Sequence, residues 1–356
     1  MLWKKNWAVG AVDRLISRWL TEKGPQQDIV LSSRIRLARN IATLPFPQVA
    51  GEKQLAEVVA QVKAASDLKG PWGKLQYHDL KDIGALDQEL LVAKHLISPQ
   101  LIQNNENRGL LLSPKEEISV MVNEEDHLRL QVLLPGLDLE AGWQLIDQLD
   151  DDLEAKLDFA FSQEHGYLTA CPTNVGTGIR ASVMVHLPAI SMVNQIQQLI
   201  KGVMQVGLAV RGLYGEGTEV VGNIYQISNQ VTLGRTEKEI IENINSVTRQ
   251  IIEQEQQARQ VLLTNAKAQI EDRIYRAYGI LTQARLLNTQ EAMELLSDLR
   301  LGVGLGLLTK VSAPQLNQLT VLAQPAAVQG IMNQELPPQN RDYYRAALLR
   351  EKLEDK

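Results

Sequence analysis

A chain of 356 residues with 44% hydrophobic side chains is long enough for two cores, and its net charge of −6 excludes the broadly basic footprint of a general nucleic-acid binder. A single cysteine, Cys171, excludes an internal disulfide and fits a reducing compartment. No stretch is long and apolar enough to span a bilayer, so a cytoplasmic protein without membrane contact is expected.

The first twenty residues place Trp3, Trp7, Val9, Leu15, Ile16, Trp19 and Leu20 between charged positions, the pattern of an amphipathic helix rather than a signal peptide. Gly24-Pro25 marks a turn, and Asp28 to Arg36 reads as a short strand and loop. Residues 52 to 66 carry Leu55, Val58, Val59 and Val62 on one helical face. Between about 109 and 230 the period changes to two. Ile118, Val120 and Val122 alternate with polar residues, as do Leu128, Leu130, Val132 and Leu134, and later Val183, Val185 and Leu187. A further strand is expected over 220 to 227, and helices over 139 to 161 and 189 to 206 would cover one face of an antiparallel sheet. From Thr236, which with Glu239 forms a candidate capping box, the signal is helical to the end. The fold class expected is α+β, an antiparallel sheet flanked by helices over 1–255, followed by an all-α C-terminal domain over 256–356.

Glycine-rich phosphate loops, the signature set of the protein kinases and zinc-ligand spacings are all missing from the sequence. What stands out is arginine within apolar strands. Arg34 and Arg36 are two residues apart in an extended segment, so both aim at one side. Arg129 lies in a leucine-rich strand, Arg180 follows Gly176-Thr177-Gly178, and Arg211 precedes Gly212. Taken singly, each reads as an ordinary ion pair on a sheet. Together, five fixed cations with planar donor forks could hold a triphosphate without a glycine-rich loop. Asn123-Glu124-Glu125-Asp126-His127 sits between two of the strands. Its acids read either as a solvated turn or as carboxylates facing a cation, a magnesium ion or a substrate guanidinium, whose proton one of them could accept. Cys171 reads as a small buried hydrophobe or as a reactive thiol beside the arginines.

The segments LSSRIRLARN at 31–40, VNEEDHLRL at 122–130, CPTNVGTGIRASVMVHLP at 171–188 and RGLYGEG at 211–217 together resemble the phosphagen (guanidino) kinase superfamily over roughly residues 20 to 255. The resemblance implies ATP as phosphoryl donor with Mg²⁺. It implies nucleotide contacts at Ser32, Ser33, Arg34, Ile35, Arg36, His95, Arg129, Arg180, Ala181, Ser182, Val183, Met184, Arg211, Gly212, Leu213, Tyr214, Gly215 and Glu216. It places Glu124, Glu125 and Cys171 near the guanidinium, with Glu125 as proton acceptor, and assigns no residue as a dedicated metal ligand.

Only 31 residues precede the Ser32-Ser33-Arg34 motif, where kinases of small guanidino compounds carry a larger helical domain that closes over the substrate. With the helical C-terminus, this resembles the bacterial protein-arginine kinases of the McsB type. That branch implies a phosphoarginine-binding set, here Arg341, Asp342 and Arg345. From the residues alone, Arg341 to Ala346 reads as a helix with i,i+4 arginines. The branch further implies protein substrates with exposed arginines, a zinc-binding activator protein, a Clp ATPase/protease system, a transcriptional repressor of stress genes and a homodimer. A kinase of a small free guanidino compound and a phosphoarginine-binding adaptor are the alternative readings.

Overall fold

The structure is a computed structural model that describes residues 17–212 and 221–354. Its centre is an eight-stranded sheet of β1 (Val30–Arg39), β2 (Gln76–Asp79), β3 (Gly109–Leu112), β4 (Ile118–Val122), β5 (Leu128–Pro135), β6 (Ile179–His186), β7 (Leu208–Gly212) and β8 (Ile224–Asn229). The spatial order is β7-β8-β6-β1-β5-β4-β3-β2, and every neighbouring pair is antiparallel. The segment expected as a short strand and loop from Asp28 is a ten-residue strand at the middle of this sheet. The strand expected over 220 to 227 is β8, displaced toward Asn229.

Period-two alternation gives the sheet two unlike faces. Ile35, Leu37, Leu130, Val132, Leu134, Ile179, Ala181, Val183, Val185 and Ile227 line the first, each at most 1% exposed. They pack against α1 (Glu52–Ala65), α3 (Leu139–Glu154), α4 (Ile196–Gln205) and the first half of α5 (Glu237–Gln283) in one continuous apolar core. The helix expected from 139 stops at Glu154, and the one expected from 189 divides into Pro188–Met192 and α4 around Asn194, whose φ is +59°.

Helix α5 starts where the sequence indicates. The Thr236 hydroxyl accepts from the Glu239 N–H, and the Glu239 carboxylate accepts from the Thr236 N–H. It then runs without a break past residues 255 and 256 and kinks at Ala266. Its second half joins α6 (Thr289–Gly304), α7 (Ala313–Leu322), α8 (Pro325–Met332) and α9 (Pro338–Glu354). These helices share a second core with Trp19, Leu20, α2 (Ala85–Ala93), and Leu31, Leu133, Met184 and Ile224 of the sheet. The helical part therefore closes one end of the second sheet face. Trp19 and Leu20 of the expected N-terminal helix sit in that core; the rest of that pattern lies outside the described residues.

Glu255 and Arg259 lock α5 to the sheet. The Glu255 carboxylate accepts from the N–H groups of Ala189 and Ile190 and from Arg259, which also reaches Asp28. Glu255 is fully buried, so truncating it strands a buried guanidinium and two backbone donors. Glu255→Ala should cost roughly 3–5 kcal/mol in urea unfolding; a loss under ~1 kcal/mol would remove the lock from this account.

Candidate active site

The second sheet face is polar because register, not sequence proximity, collects its side chains. Arg36 of β1 lies opposite Arg180 of β6 and Gln131 of β5. Arg34 lies opposite Ser182 and Leu133, and Arg129 opposite Ala38. Across β8, Gln226 lies opposite both Met184 and Arg211. Its side-chain oxygen accepts from Arg34 Nη2 at 2.7 Å. The five arginines named from the sequence thus share one face of one sheet.

Arg34 and Arg36 are buried among like charges. Burial, then Arg129 and Arg180, pull Arg34 down to about 10. Burial and the same neighbours with Arg34 hold Arg36 well below the usual range, with only Glu124 opposing. Arg36 Nε is buried and has no hydrogen-bond partner among the described residues. Arg180 makes long contacts of 3.4–3.5 Å to Asn229 O, Thr173 Oγ1 and Asn174 Oδ1. A face of repelling guanidinium groups with an unsatisfied donor suits a polyanion such as a triphosphate.

The turn between β4 and β5 supplies the acids. Asn123, at φ +56°, closes the turn by donating its N–H to His127 O, and its side chain donates to Leu55 O and Asn107 O. Glu124 is committed to protein partners. Both its oxygens accept from Arg129 Nη1, at 2.7 and 2.6 Å, and Ser98 Oγ donates to it as well. Those contacts outweigh burial and hold its carboxyl below the usual range. Asp126 accepts from the Asn40 side chain at 2.6 Å and from Ala170 N at 2.7 Å, tying this turn to the segment that carries Cys171. His127 is fully buried; its Nδ1 accepts from Ile41 N, so Nε2 carries the proton that goes to Pro45 O. Glu125 differs from the rest. It is half-buried, no described side chain hydrogen-bonds its carboxylate, and burial followed by Asp126 pushes its pKa up.

Cys171 is partly exposed, with Sγ 3.0 Å from Thr173 Oγ1, the hydroxyl that Arg180 also contacts. The following loop is clamped by Arg39. This buried side chain makes three contacts of 2.6–3.1 Å to Asp150, donates to Ala38 O and Thr177 O, and stacks on Tyr167. Gly178 has φ +69°, and a Cβ there would fall 2.5 Å from Arg39 Nη1. Only glycine allows that approach.

His95, at φ +60°, lines a small cleft with Ser32, Arg34, Leu133, Ser182, Met184 and Gln226, and burial pushes it down to about 3. Other residues expected at the nucleotide turn away. Ile35, Ala181 and Val183 point into the opposite core, because alternation sends every second side chain there. Ser33 also leaves the site: its hydroxyl donates to Gly136 O and accepts from Asp138 N at the start of α3. Gly212 ends β7, and Leu213, Tyr214, Gly215 and Glu216 lie outside the described residues. Gln226, Ser98, Arg39 and Asn229 join the site as further polar partners that no motif singles out. The alternating polar residues Gln226 and Ser228 were the available signal, but only strand pairing shows which face they occupy.

Residues 57–258 match the ATP:guanido phosphotransferase C-terminal catalytic domain. The chain belongs to this family. Residues 267–356 match the protein-arginine kinase McsB C-terminal domain. A protein-arginine kinase of Halothermothrix orenii is 52% identical over 342 residues, covering 96% of this chain and 98% of the relative. The protein-arginine kinase of Bacillus subtilis is 47% identical over 341 residues, with 95% and 93% covered. Among solved structures, lombricine kinase aligns with a TM-score of 0.59 at 26% identity over 68% of this chain and 70% of its own. The duplicated taurocyamine kinase of Schistosoma mansoni, with bound transition state analog components, gives a TM-score of 0.60 at 26% identity over 65% and 34%.

In this guanidino phosphotransferase the Arg341, Asp342 and Arg345 set divides in two. Arg345 is 1% exposed and engaged with Ala323 O, Leu287 O and Asp342 Oδ1, which ties α9 to the end of α7 and to the segment before α6. Arg341 and Asp342 are partly exposed, and Arg341 lines a cleft with Glu89, Gln324 and Gln329. Arg345→Ala should therefore lower stability by about 3 kcal/mol by leaving buried carbonyls unpaired. Arg341→Ala should leave the melting temperature unchanged; equal melting shifts for the two variants would contradict this division.

Proposed function

We propose that this chain transfers the γ-phosphoryl group of ATP to the guanidinium of arginine side chains in proteins. The observation that carries the reaction class is the half-buried Glu125 carboxylate, which no described side chain hydrogen-bonds and which lies within the electrostatic reach of Arg129 and Arg180. Near-complete alignment with curated protein-arginine kinases supports protein arginine as the acceptor. Alignment of the chain with lombricine and taurocyamine kinases gives the competing reading, a small free guanidino compound, at lower identity and coverage.

A guanidinium is protonated in water and has no free lone pair to attack with. Glu125 takes a proton from the attacking nitrogen as its bond to the γ-phosphorus forms. The bond from that phosphorus to the bridging oxygen breaks, and ADP leaves with the electron pair. A raised pKa brings a carboxylate closer to the basicity such a transfer needs. Arg34, Arg36, Arg129, Arg180 and Arg211 hold the phosphates and neutralise charge that spreads over the transferring oxygens. Glu124 keeps Arg129 in place. Among the described residues no three His, Cys, Asp or Glu side chains assemble into a metal cage. Mg²⁺ arriving with ATP would supply further neutralisation there. Arg341 and Asp342 are placed at the phosphoarginine-binding site of this reading.

The same reading assigns the chain to the cytoplasm, consistent with no described helix being long and apolar enough to cross a membrane. In it, phosphoarginine marks proteins for a Clp-type protease and inactivates a stress-gene repressor, with a zinc-binding activator protein and a homodimeric state.

Incubation with Mg-ATP and an arginine-containing protein, followed by mass spectrometry without acid, should find phosphate on arginine. Turnover of free arginine with none on protein would instead favour the small-substrate reading. Glu125→Gln should lower kcat by about 10²–10⁴-fold. The raised Glu125 pKa means its base form is lost at a higher pH than for an ordinary glutamate. The acid limb of kcat/KM should accordingly fall above 4.5, and a limb at or below that value would exclude Glu125 as the base.

A further inference from the structure

Strand register gives the polar sheet face two distinct ends. Arg39 lies opposite Leu128, next to the turn that carries Glu125, whereas Ser32 lies opposite both Pro135 and Met184. From Ser32 to Arg39 the strand covers roughly 23 Å. A nucleotide laid along Arg36 and Arg34, with its transferring phosphate facing Glu125, has its nucleoside at the Ser32 end.

His95 stands at that end, where its ring lines the cleft with Ser32, Arg34, Ser182 and Met184. Its backbone is left-handed at φ +60°, a conformation that a residue other than glycine keeps only where its surroundings impose it. Three contacts impose it here. His95 N donates to Val92 O at 2.9 Å, and Gln131 of β5 donates to His95 O at 2.8 Å. The third is Trp19, whose ring lies 5.8 Å from the His95 ring, the planes tilted by 52°.

Trp19 is fixed in turn from the C-terminal helices. It sits on a short helix, Arg18–Thr21, and is buried in the second core. Its indole N–H donates at 3.2 Å to Lys94 O, the carbonyl of the peptide group that leads into His95. Its own carbonyl accepts from Asn317 of α7 at 3.0 Å, and Asn317 Oδ1 accepts from Arg300 of α6 at 2.7 Å. A carbonyl only accepts and a guanidinium only donates, so the Asn317 amide has one orientation that satisfies both.

From this arrangement we infer that Trp19 is a positioning residue of the nucleotide site: it seats the His95 ring against the nucleoside, and Asn317 holds Trp19 in place. The inference rests on ATP binding across the arginine face. Both side chains are buried and act through His95, so their contribution is to ATP binding and not to the chemical step. The C-terminal helices are thereby part of what shapes the ATP site.

The test is steady-state kinetics with Mg-ATP and an arginine-containing protein. Trp19→Leu should raise KM for ATP on the order of tenfold, with kcat and KM for the protein unchanged. Trp19→Phe, which keeps a ring against His95, should stay within about twofold of the unaltered chain. Asn317→Asp keeps an acceptor for Arg300 but loses the donor to Trp19 O, and should raise KM for ATP roughly threefold to fivefold. Combined with Trp19→Leu it should add nothing further, because both act through one contact. Trp72→Leu, at a buried tryptophan of the first core, should lower stability and leave KM for ATP unchanged. Tripolyphosphate, which has no nucleoside, should inhibit every variant as it inhibits the unaltered chain. An unchanged KM in Trp19→Leu, additive effects in the double variant, or an equal loss of tripolyphosphate inhibition would overturn the positioning role. Failure of both ATP and tripolyphosphate to bind the unaltered chain would overturn the arginine face as the nucleotide site, and this inference with it.

Discussion

Like charges packed together cost free energy, and Arg129 and Arg180 lie close enough to Arg34 and Arg36 to depress the proton affinity of that buried pair. Much of the surrounding structure serves to hold them in spite of that. Strand pairing fixes their backbones in register. Gln226 fixes the Arg34 fork and Glu124 fixes Arg129. Arg34 and Arg36 are buried among like charges and Arg36 Nε has no hydrogen-bond partner among the described residues, which leaves positive potential for a phosphate chain. Fuller compensation by acids would stabilise the fold and weaken the site.

The same constraint explains the two faces of the sheet. Charged groups on one side are tolerable because the other side buries a continuous apolar layer against α1, α3, α4 and α5. Ile35 and Ala181 therefore matter to the arginines without facing what they bind: they anchor the strands from behind. The C-terminal helices play a further part by covering Leu133, Met184 and Ile224 at one end of the polar face. The cleft containing His95 lies beside Leu133 and Met184, next to that covered end.

The acidic turn shows how one short motif divides its labour. Asn123 shapes the backbone, Glu124 orients an arginine, Asp126 tethers the Cys171 segment, and His127 pins the chain at Ile41 and Pro45. With its neighbours engaged, Glu125 is left as the group with a raised pKa whose carboxylate no described side chain hydrogen-bonds. A base needs that combination, because a fully paired carboxylate is already stabilised as the anion and accepts a proton poorly.

Much of this was legible in the residues. Alternation at 118–134 and 183–187 gave strands, the Thr236–Glu239 pair gave the start of α5, and two-residue spacing put Arg34 and Arg36 on one side. Local patterns report local geometry, so these survived folding. The motifs also gave the family, because they name the chemistry in consecutive residues. What spacing could not give was partnership across the chain. Glu124 and Glu125 are adjacent and chemically identical, and only Arg129 and Ser98 packing against one of them separates an orienting acid from a free one. Arg341 and Arg345 sit one helical turn apart, yet carbonyls from Leu287 and Ala323 bury the second and leave the first at a cleft. Sequence fixed which groups are present and their period along each element; the tertiary structure decided which of them are desolvated and paired, because burial and pairing depend on neighbours tens to hundreds of residues away.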